Sequence, residues 1–116
     1  MISVTFPQRG EVYLTSFDPV RGSEQGGRRP AVIVSTNLSN GHDPVVTVVP
    51  ITSAMKKRSF PQDVRLAPGD IGPQPGRVLC GQIRTVSTQR LGRRLGALPD
   101  QLMNQVDDAL RLVLDL

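Results

Sequence analysis

Arginine, hydroxyl and amide side chains provide most of the chemistry available to this chain of 116 residues. Of its fourteen basic residues, only Lys56 and Lys57 are lysine and the rest are arginine. The guanidinium group pairs with two phosphate oxygens at once and stacks on nucleobases. This composition favours a polyanionic partner, although an ordinary soluble protein can also carry a net charge of +4.

The charge is unevenly distributed along the chain. Residues 1–98 contain thirteen basic and six acidic side chains, whereas residues 99–116 contain four acidic side chains and one basic one. A basic body with a separate acidic segment can attract phosphate backbones on one face only.

Histidine- and cysteine-based hydrolase sites would have to use His42 or Cys80, because the chain has one residue of each type. His42 lies in the turn-forming run NGHDP, which predicts an exposed loop histidine. Cys80 lies within an apolar strand pattern, which predicts a small core residue. Metal-ligand spacings are absent, and Asp107 and Asp108 are typical of a solvated helix face. We therefore expect neither a metal ion nor a cofactor.

The cysteine content also bears on the compartment. A single cysteine forms no internal disulfide, which favours a reducing environment. The N-terminal run MISVTFPQRGEVYL lacks the order of charges and apolar residues of a signal peptide, and no apolar run could span a bilayer. We expect a cytoplasmic protein that does not associate with membranes.

Cleavage of RNA suits the remaining side chains. The attacking group in that reaction is the substrate's own 2′-OH, so the protein needs only to align it, stabilise the pentacoordinate phosphorane and help to move protons. Arginine can hold the charge that develops on the non-bridging oxygens, and a threonine hydroxyl can donate one more hydrogen bond. DNA cannot react by this route because it lacks the 2′-OH.

Short β-branched runs separated by turn signals predict a mainly β chain that ends in one amphipathic helix. The predicted strands are Glu11–Phe17, Ala31–Ser35, Val45–Ile51, Gln62–Leu66 and Arg77–Val86, the last with a bulge at Gly81 and no strand after it. The polar residues 20–29 and 37–44 are predicted as loops, and the second and third strands as a central pair. From Pro99 onward the apolar stripe Leu102, Val106, Ala109, Leu110 and Val113 predicts a helix that packs on the sheet. These elements indicate one domain over residues 1–116, built as a small, partly closed β-barrel with a docked helix.

Several motifs together resemble the MazF/PemK (Kid) family of endoribonuclease toxins. They are the run RGEVY from Arg9, the run GSEQGGRRPAVIVS from Gly22, VPITS from Val49, QIRT from Gln82, and the C-terminal helix. The resemblance implies an SH3-like, partly open β-barrel of the MazF/PemK/CcdB toxin type that forms a homodimer. It also implies sequence-specific, metal-independent cleavage of single-stranded mRNA to 2′,3′-cyclic phosphate and 5′-OH ends. A cognate MazE-like antitoxin, with an acidic disordered tail that fills the RNA groove, is the implied inhibitor.

The resemblance also identifies candidate site residues. Arg29 and Thr52 are the implied catalytic pair, with Arg29 acting electrostatically because a guanidinium stays protonated. Glu24 is the third candidate, since its carboxylate could accept a proton from the 2′-OH, hold Arg29 in place, or simply brace the loop from Ser23 to Pro30. We expect RNA contacts from Ser23, Gln25, Arg28, Ser53, Arg58, Gln82 and Arg84. Gln82 and Arg84 alternate along the last predicted strand and could face one groove together.

One position departs from the family pattern, and two other functions stay open. Several relatives carry an acidic residue where this chain has Gly81. Either proton transfer here falls to Glu24, to water or to Arg29, or the role attributed to that acid is not general in the family. A gyrase-poisoning toxin of the same fold acts by binding a protein, but it lacks the Arg-Pro loop and the hydroxyl that this chain retains. A non-catalytic RNA-binding barrel would need aromatic platforms, and only Tyr13, Phe6, Phe17 and Phe60 are available.

Overall fold

The computed structural model describes residues 5–18, 22, 27–53 and 61–116. In this part of the chain seven strands precede a C-terminal helix. The strands are β1 (Glu11–Ser16), β2 (Arg28–Ile33), β3 (Val45–Thr52), β4 (Asp63–Leu66), β5 (Gly76–Leu79), β6 (Arg84–Ser87) and β7 (Leu91–Ala97). The helices are α1 (Asn37–Asn40) and α2 (Asp100–Leu114), and 3₁₀ turns span Cys80–Gln82 and Thr88–Arg90.

The strands form one antiparallel sheet in the order β4-β5-β3-β2-β1-β7, and β6 pairs with β3 outside this path. The long strand β3 organises the sheet, because its residues 45–48 pair with β6 and its residues 51 and 52 pair with β5. Within the described residues, the end strands β4 and β7 do not pair with each other. The expected mainly β fold with a C-terminal helix is confirmed, but the sheet does not close into a barrel.

Strand alternation divides the apolar residues between the two faces of the sheet. On one face, a helix-side core joins the strands to α2 and contains Val12, Val32, Val34, Val49, Ile51, Val64, Leu66, Val78, Cys80, Leu98, Met103, Val106 and Ala109. On the other face, an outer core contains Phe17, Ala31, Ile33, Val46, Val48 and Val86. Residues that are neighbours in β2 therefore belong to different cores.

Helix α2 confirms the predicted amphipathic helix. Pro99 is its N-cap residue, and Asp100 lies in the first turn, where a negative charge is favourable. The apolar stripe packs as predicted, with Met103 buried in addition. Asp107 differs from the prediction of a solvated residue, because it forms an ion pair with Arg9.

Three predictions about the strands are wrong, because in each case strand pairing overrides the local sequence pattern. Strand β7 was not expected because LGRRLGA has no alternating pattern, yet it pairs with β1. The predicted strand over residues 77–86 is divided by the 3₁₀ turn at Cys80–Gln82 into β5 and β6, which pair with different parts of β3. Strand β2 begins at Arg28, since that residue already pairs with Ser16 of β1. The turn predicted over residues 37–44 contains the single-turn helix α1, capped by the Thr36 hydroxyl.

Candidate active site

The candidate site lies where β2 begins and β3 ends. The β2–β3 ladder ends where Ala31 pairs with Pro50, and Arg29 and Thr52 each lie two residues beyond this last pair. The sequence predicted Arg28 and Arg29 in a loop, but both are the first residues of β2 and pair with β1. Arg29 and Thr52 are 23 positions apart in the chain and lie at the same end of the β2–β3 ladder.

A cavity of about 320 Å³ opens at these strand ends. Its wall includes the candidate pair Arg29 and Thr52. The expected RNA contacts Arg28 and Ser53 also line it. The rest of the wall comes from Pro30, Ile51, Leu66 and the segment 71–76. Arg29 is half-buried, whereas Thr52 is only 2 % exposed. Cationic and hydroxyl groups thus border a space with partly apolar walls, which strengthens any electrostatic contact made inside it.

Strand β5 packs tightly against the end of β3. A Cβ atom added to Gly76 would lie 3.0 Å from the backbone oxygen of Thr52, so only glycine fits without a shift of one strand. The next residue, Arg77, lies directly opposite Thr52 in the antiparallel register. The backbone of Thr52 is therefore held by its pairing with β5.

A buried ion pair adjoins Thr52. Nη1 of Arg77 donates to Oδ2 of Asp63 at 2.9 Å, and the two side chains are 4 % and 6 % exposed. Neither residue stands out as a site residue in the sequence, because Arg77 lies in the apolar run RVLC, whose pattern predicts only a strand. The signal available in the sequence was the arginine within an apolar run. Burying a charge without a partner costs free energy, so such an arginine predicts a buried acidic partner.

The other expected RNA contacts are distributed differently. Gln82 lies in the 3₁₀ turn and Arg84 in β6, so the prediction that they alternate along one strand is wrong. The guanidinium carbon of Arg84 lies 5.4 Å from the centre of the Phe17 ring, a cation–π distance. Neither residue is among those that line the cavity, and their contact with RNA stays a prediction. Ser23, Glu24, Gln25 and Arg58 lie outside the described residues.

Cys80 and His42 agree with their predicted structural roles. Cys80 is fully buried, and burial, together with the charges of Asp63 and Asp107, raises its pKa to about 12. The thiol therefore stays protonated and is a poor nucleophile. His42 is exposed in the turn after α1.

The position of Gly81 has room for a side chain. An added Cβ would meet only the side chain of Gln62, at the ordinary contact distance of 3.7 Å. Crowding therefore does not explain the glycine.

Among the described residues, no three His, Cys, Asp or Glu side chains are grouped to hold a metal ion. The described helices include none that is long and apolar enough to cross a membrane.

Residues 8–114 match the model of a family described as the PemK-like, MazF-like toxin of type II toxin–antitoxin systems. The chain belongs to this family. Endoribonuclease EndoA of Bacillus subtilis (strain 168) is a PemK/MazF-like relative that is 36 % identical over 110 residues, which are 94 % of this chain and 95 % of EndoA. The resemblance inferred from the motifs is confirmed.

Solved structures of PemK/MazF-like toxins share the fold. MazF from Deinococcus radiodurans superposes with a TM-score of 0.84 at 31 % identity, covering 97 % of this chain and all of that one (100 %). A mycobacterial endoribonuclease, solved in complex with its cognate antitoxin, superposes with a TM-score of 0.79 at 33 % identity. That match covers 95 % of this chain and 96 % of the mycobacterial one.

Proposed function

We propose that this endoribonuclease toxin of a type II toxin–antitoxin system cleaves single-stranded mRNA at specific sequences, without a metal ion. The 2′-OH of the substrate loses its proton and attacks the adjacent phosphorus, the bond to the 5′-oxygen breaks, and that oxygen takes up a proton from water. The products carry a 2′,3′-cyclic phosphate and a 5′-OH. The observation that carries the proposal is that Arg29 and Thr52, from two different strands, border one cavity.

Arg29 stabilises the phosphorane in this mechanism. Its guanidinium is permanently charged and can bond two non-bridging oxygens at once. It is the second residue of a paired strand and is half-buried, so its position is largely set before RNA binds. A preorganised donor of this kind acts without a reorganisation cost during the reaction.

Thr52 donates a second hydrogen bond to the phosphate. The residue is 2 % exposed and lines the cavity, so a phosphate approaches it through that cavity. Proton transfer from the 2′-OH is assigned to Glu24, which either accepts the proton or holds Arg29 while water accepts it. Ser23, Gln25, Arg28, Ser53, Arg58, Gln82 and Arg84 bind the flanking nucleotides.

The proposed partners follow from charge and family. A homodimer would bind RNA through the basic residues of the chain, in the cytoplasm where mRNA is found. A cognate antitoxin with an acidic, disordered tail would compete with RNA for the same groups. The mycobacterial relative in complex with its cognate antitoxin supports this partner class.

The test is cleavage of a mixed-sequence single-stranded RNA in excess EDTA, followed by analysis of the product ends. We expect cuts at a restricted set of sequences, 5′ ends that accept phosphate directly, and 3′ ends that resist phosphatase until acid opens the cyclic ester. An RNA with a 2′-deoxynucleotide at the cleavage position should stay intact.

The matched variants are Thr52→Val and Thr47→Val, which make the same substitution at two positions of β3. Thr47 does not line the cavity and bonds to Thr85 with an oxygen–oxygen distance of 3.2 Å. Loss of the Thr52 hydroxyl should lower the cleavage rate roughly 100-fold or more, whereas Thr47→Val should stay close to wild type. Intact RNA with folded wild-type protein would refute the proposal, and inhibition of gyrase in that case would support the protein-binding alternative. Loss of cleavage in EDTA would refute metal independence.

A further inference from the structure

Arg77 occupies a position at which a charged residue costs stability. It lies in β5 with a side chain that is 4 % exposed, between Thr52 of β3 on one side and Arg65 of β4 on the other. Burial removes water from the guanidinium, and a second arginine directly across the strands repels it. An aliphatic residue would suit a buried strand better.

The ion pair with Asp63 offsets this cost and fixes the direction of the Arg77 side chain. Arg65 is the direct partner of Arg77, so Asp63, two residues before Arg65 in β4, is the diagonal neighbour. Long side chains can reach across such a diagonal. Nη1 of Arg77 and Oδ2 of Asp63 are 2.9 Å apart, so these two side chains meet. With Asp63 6 % exposed, both charges are held in a low-dielectric environment.

The register relates this ion pair to the candidate catalytic hydroxyl. Residues directly opposite in antiparallel strands project to the same face, with Cβ atoms about 4.5–5.5 Å apart. Arg77 and Thr52 are such a pair. A Cβ atom at the neighbouring Gly76 would lie only 3.0 Å from the Thr52 backbone oxygen, so a larger residue there would displace one of the two strands by a few tenths of an ångström. Strand β5 thus constrains Thr52 through its backbone and places a fixed cation beside its side chain.

We propose that Arg77, held by Asp63, is a positioning residue for Thr52 in RNA cleavage. The inference rests on the proposed function, because it assigns Arg77 a role only through Thr52. The ion pair fixes the end of β3 and the orientation of the Thr52 hydroxyl, and Arg77 acts on the reaction only by this route. Arg77 does not bind RNA itself, since it does not line the cavity.

The decisive variant replaces the whole pair, as Arg77→Met with Asp63→Leu. Replacing both members of a buried ion pair by apolar residues is often neutral or stabilising, whereas removing one member leaves an uncompensated charge. We expect kcat on a labelled RNA oligonucleotide to fall roughly 10- to 100-fold, the range that a displacement of about 1 Å produces. KM should be unchanged, because the RNA-binding residues are retained.

Arg111→Gln with Asp108→Asn is the matched control. This pair on α2 is exposed and lies far along the chain from the site, and its removal also leaves the net charge unchanged. The control should keep the wild-type kcat. Wild-type kcat in the Arg77/Asp63 variant, with native stability in urea, would overturn the inference.

A double-mutant cycle, which combines replacement of the Arg77/Asp63 pair with Thr52→Val, separates this inference from the proposed function. If Arg77 acts through Thr52, replacing the pair in the Thr52→Val protein should lower kcat no further. Fully additive losses would overturn the positioning role. Wild-type activity of Thr52→Val alone would refute the proposed role of Thr52, which is a different outcome.

Asp63→Glu provides a test that does not depend on the folding of the double variant. It keeps both charges but moves the carboxylate by one methylene group, and so displaces Arg77 relative to Thr52. A lower kcat with unchanged KM supports the positioning role. Wild-type kcat in Asp63→Glu, together with a confirmed effect of Thr52→Val, contradicts it.

Discussion

The helix-packed side of the sheet and the ends of β3 and β5 bury their side chains equally well, but the buried residues differ in chemistry. Where α2 packs on the strands, Val106 is fully buried and Ala109 is 6 % exposed. At the ends of β3 and β5, Thr52 and Arg77 are 2 % and 4 % exposed. Burial by itself therefore does not separate the structural region of this protein from its candidate site. The type of residue that is buried does.

The difference has an energetic meaning. Each apolar side chain removed from water at the helix contributes about 1.5–3 kcal/mol to folding. A buried ion pair such as Arg77 with Asp63 is weak evidence for stability, because desolvation can exceed the Coulombic gain. The helix side thus stabilises the fold, and the strand ends hold polar groups in a low-dielectric environment at some cost in stability.

The first prediction concerns activity at the strand ends. Arg29→Ala should lower kcat roughly 100- to 1000-fold, because it removes the main donor to the phosphorane. Its free energy of unfolding should change little, since Arg29 is only half-buried at the start of β2. RNA cleavage and urea unfolding measure the two quantities on the same protein.

Arg93→Ala is the matched control for the loss of one positive charge. Arg93 is exposed in β7 and does not line the cavity, so the variant should cleave RNA almost as well as the wild type. Equal losses in Arg29→Ala and Arg93→Ala would show that only the general attraction of RNA had been reduced. The contrast between the two regions would then have no catalytic meaning.

The second prediction concerns stability at the helix. Met103 is 8 % exposed and packs in the helix-side core, so Met103→Ala should lower the free energy of unfolding by roughly 2–3 kcal/mol. The kcat of the folded protein should not change. Leu112→Ala removes an apolar side chain that is 59 % exposed on the same helix and should cost less than about 0.5 kcal/mol. A loss of kcat in folded Met103→Ala would show that the helix side also positions the site.

The third and smallest effect concerns a hydrogen-bonded carboxylate away from both regions. Burial acts to raise the pKa of Glu11, but hydrogen bonds from Arg94, the Gln8 backbone N–H and the Tyr13 hydroxyl outweigh it, so the pKa lies below 4.5. A lowered pKa in the folded protein means that Glu11 stabilises the fold above pH 4.5 and loses this effect as the pH falls through the native pKa.

Glu11→Gln tests this pH dependence. The wild type should be more stable than the variant by less than about 1 kcal/mol at pH 7, and the difference should shrink below pH 4.5. Urea unfolding at several pH values measures it. A difference that grew on acidification would mean that folding raises the pKa of Glu11, which would contradict the prediction.

Periodicity predicted the regular elements well and the irregular ones poorly. The paired central strands and α2 were found because β-branched runs and a 3.6-residue stripe are local signals. Strand β7 was missed because its glycines and arginines carry no such signal, and the edge of β1 supplies its partner. The 3₁₀ turn at Cys80–Gln82 was missed because β5 and β6 pair with different parts of β3, which is a tertiary requirement.

The sequence by itself determined the residue types of the site and the family, through the run from Gly22 to Ser35 and the motif that contains Thr52. Only the tertiary structure decided which of these residues meet. Arg29 and Thr52 lie at the same end of the paired strands β2 and β3 and line one cavity, and β5 adds Arg77, which forms an ion pair with Asp63 of β4. Cross-strand neighbours are far apart in the chain, so no local pattern can encode their contact.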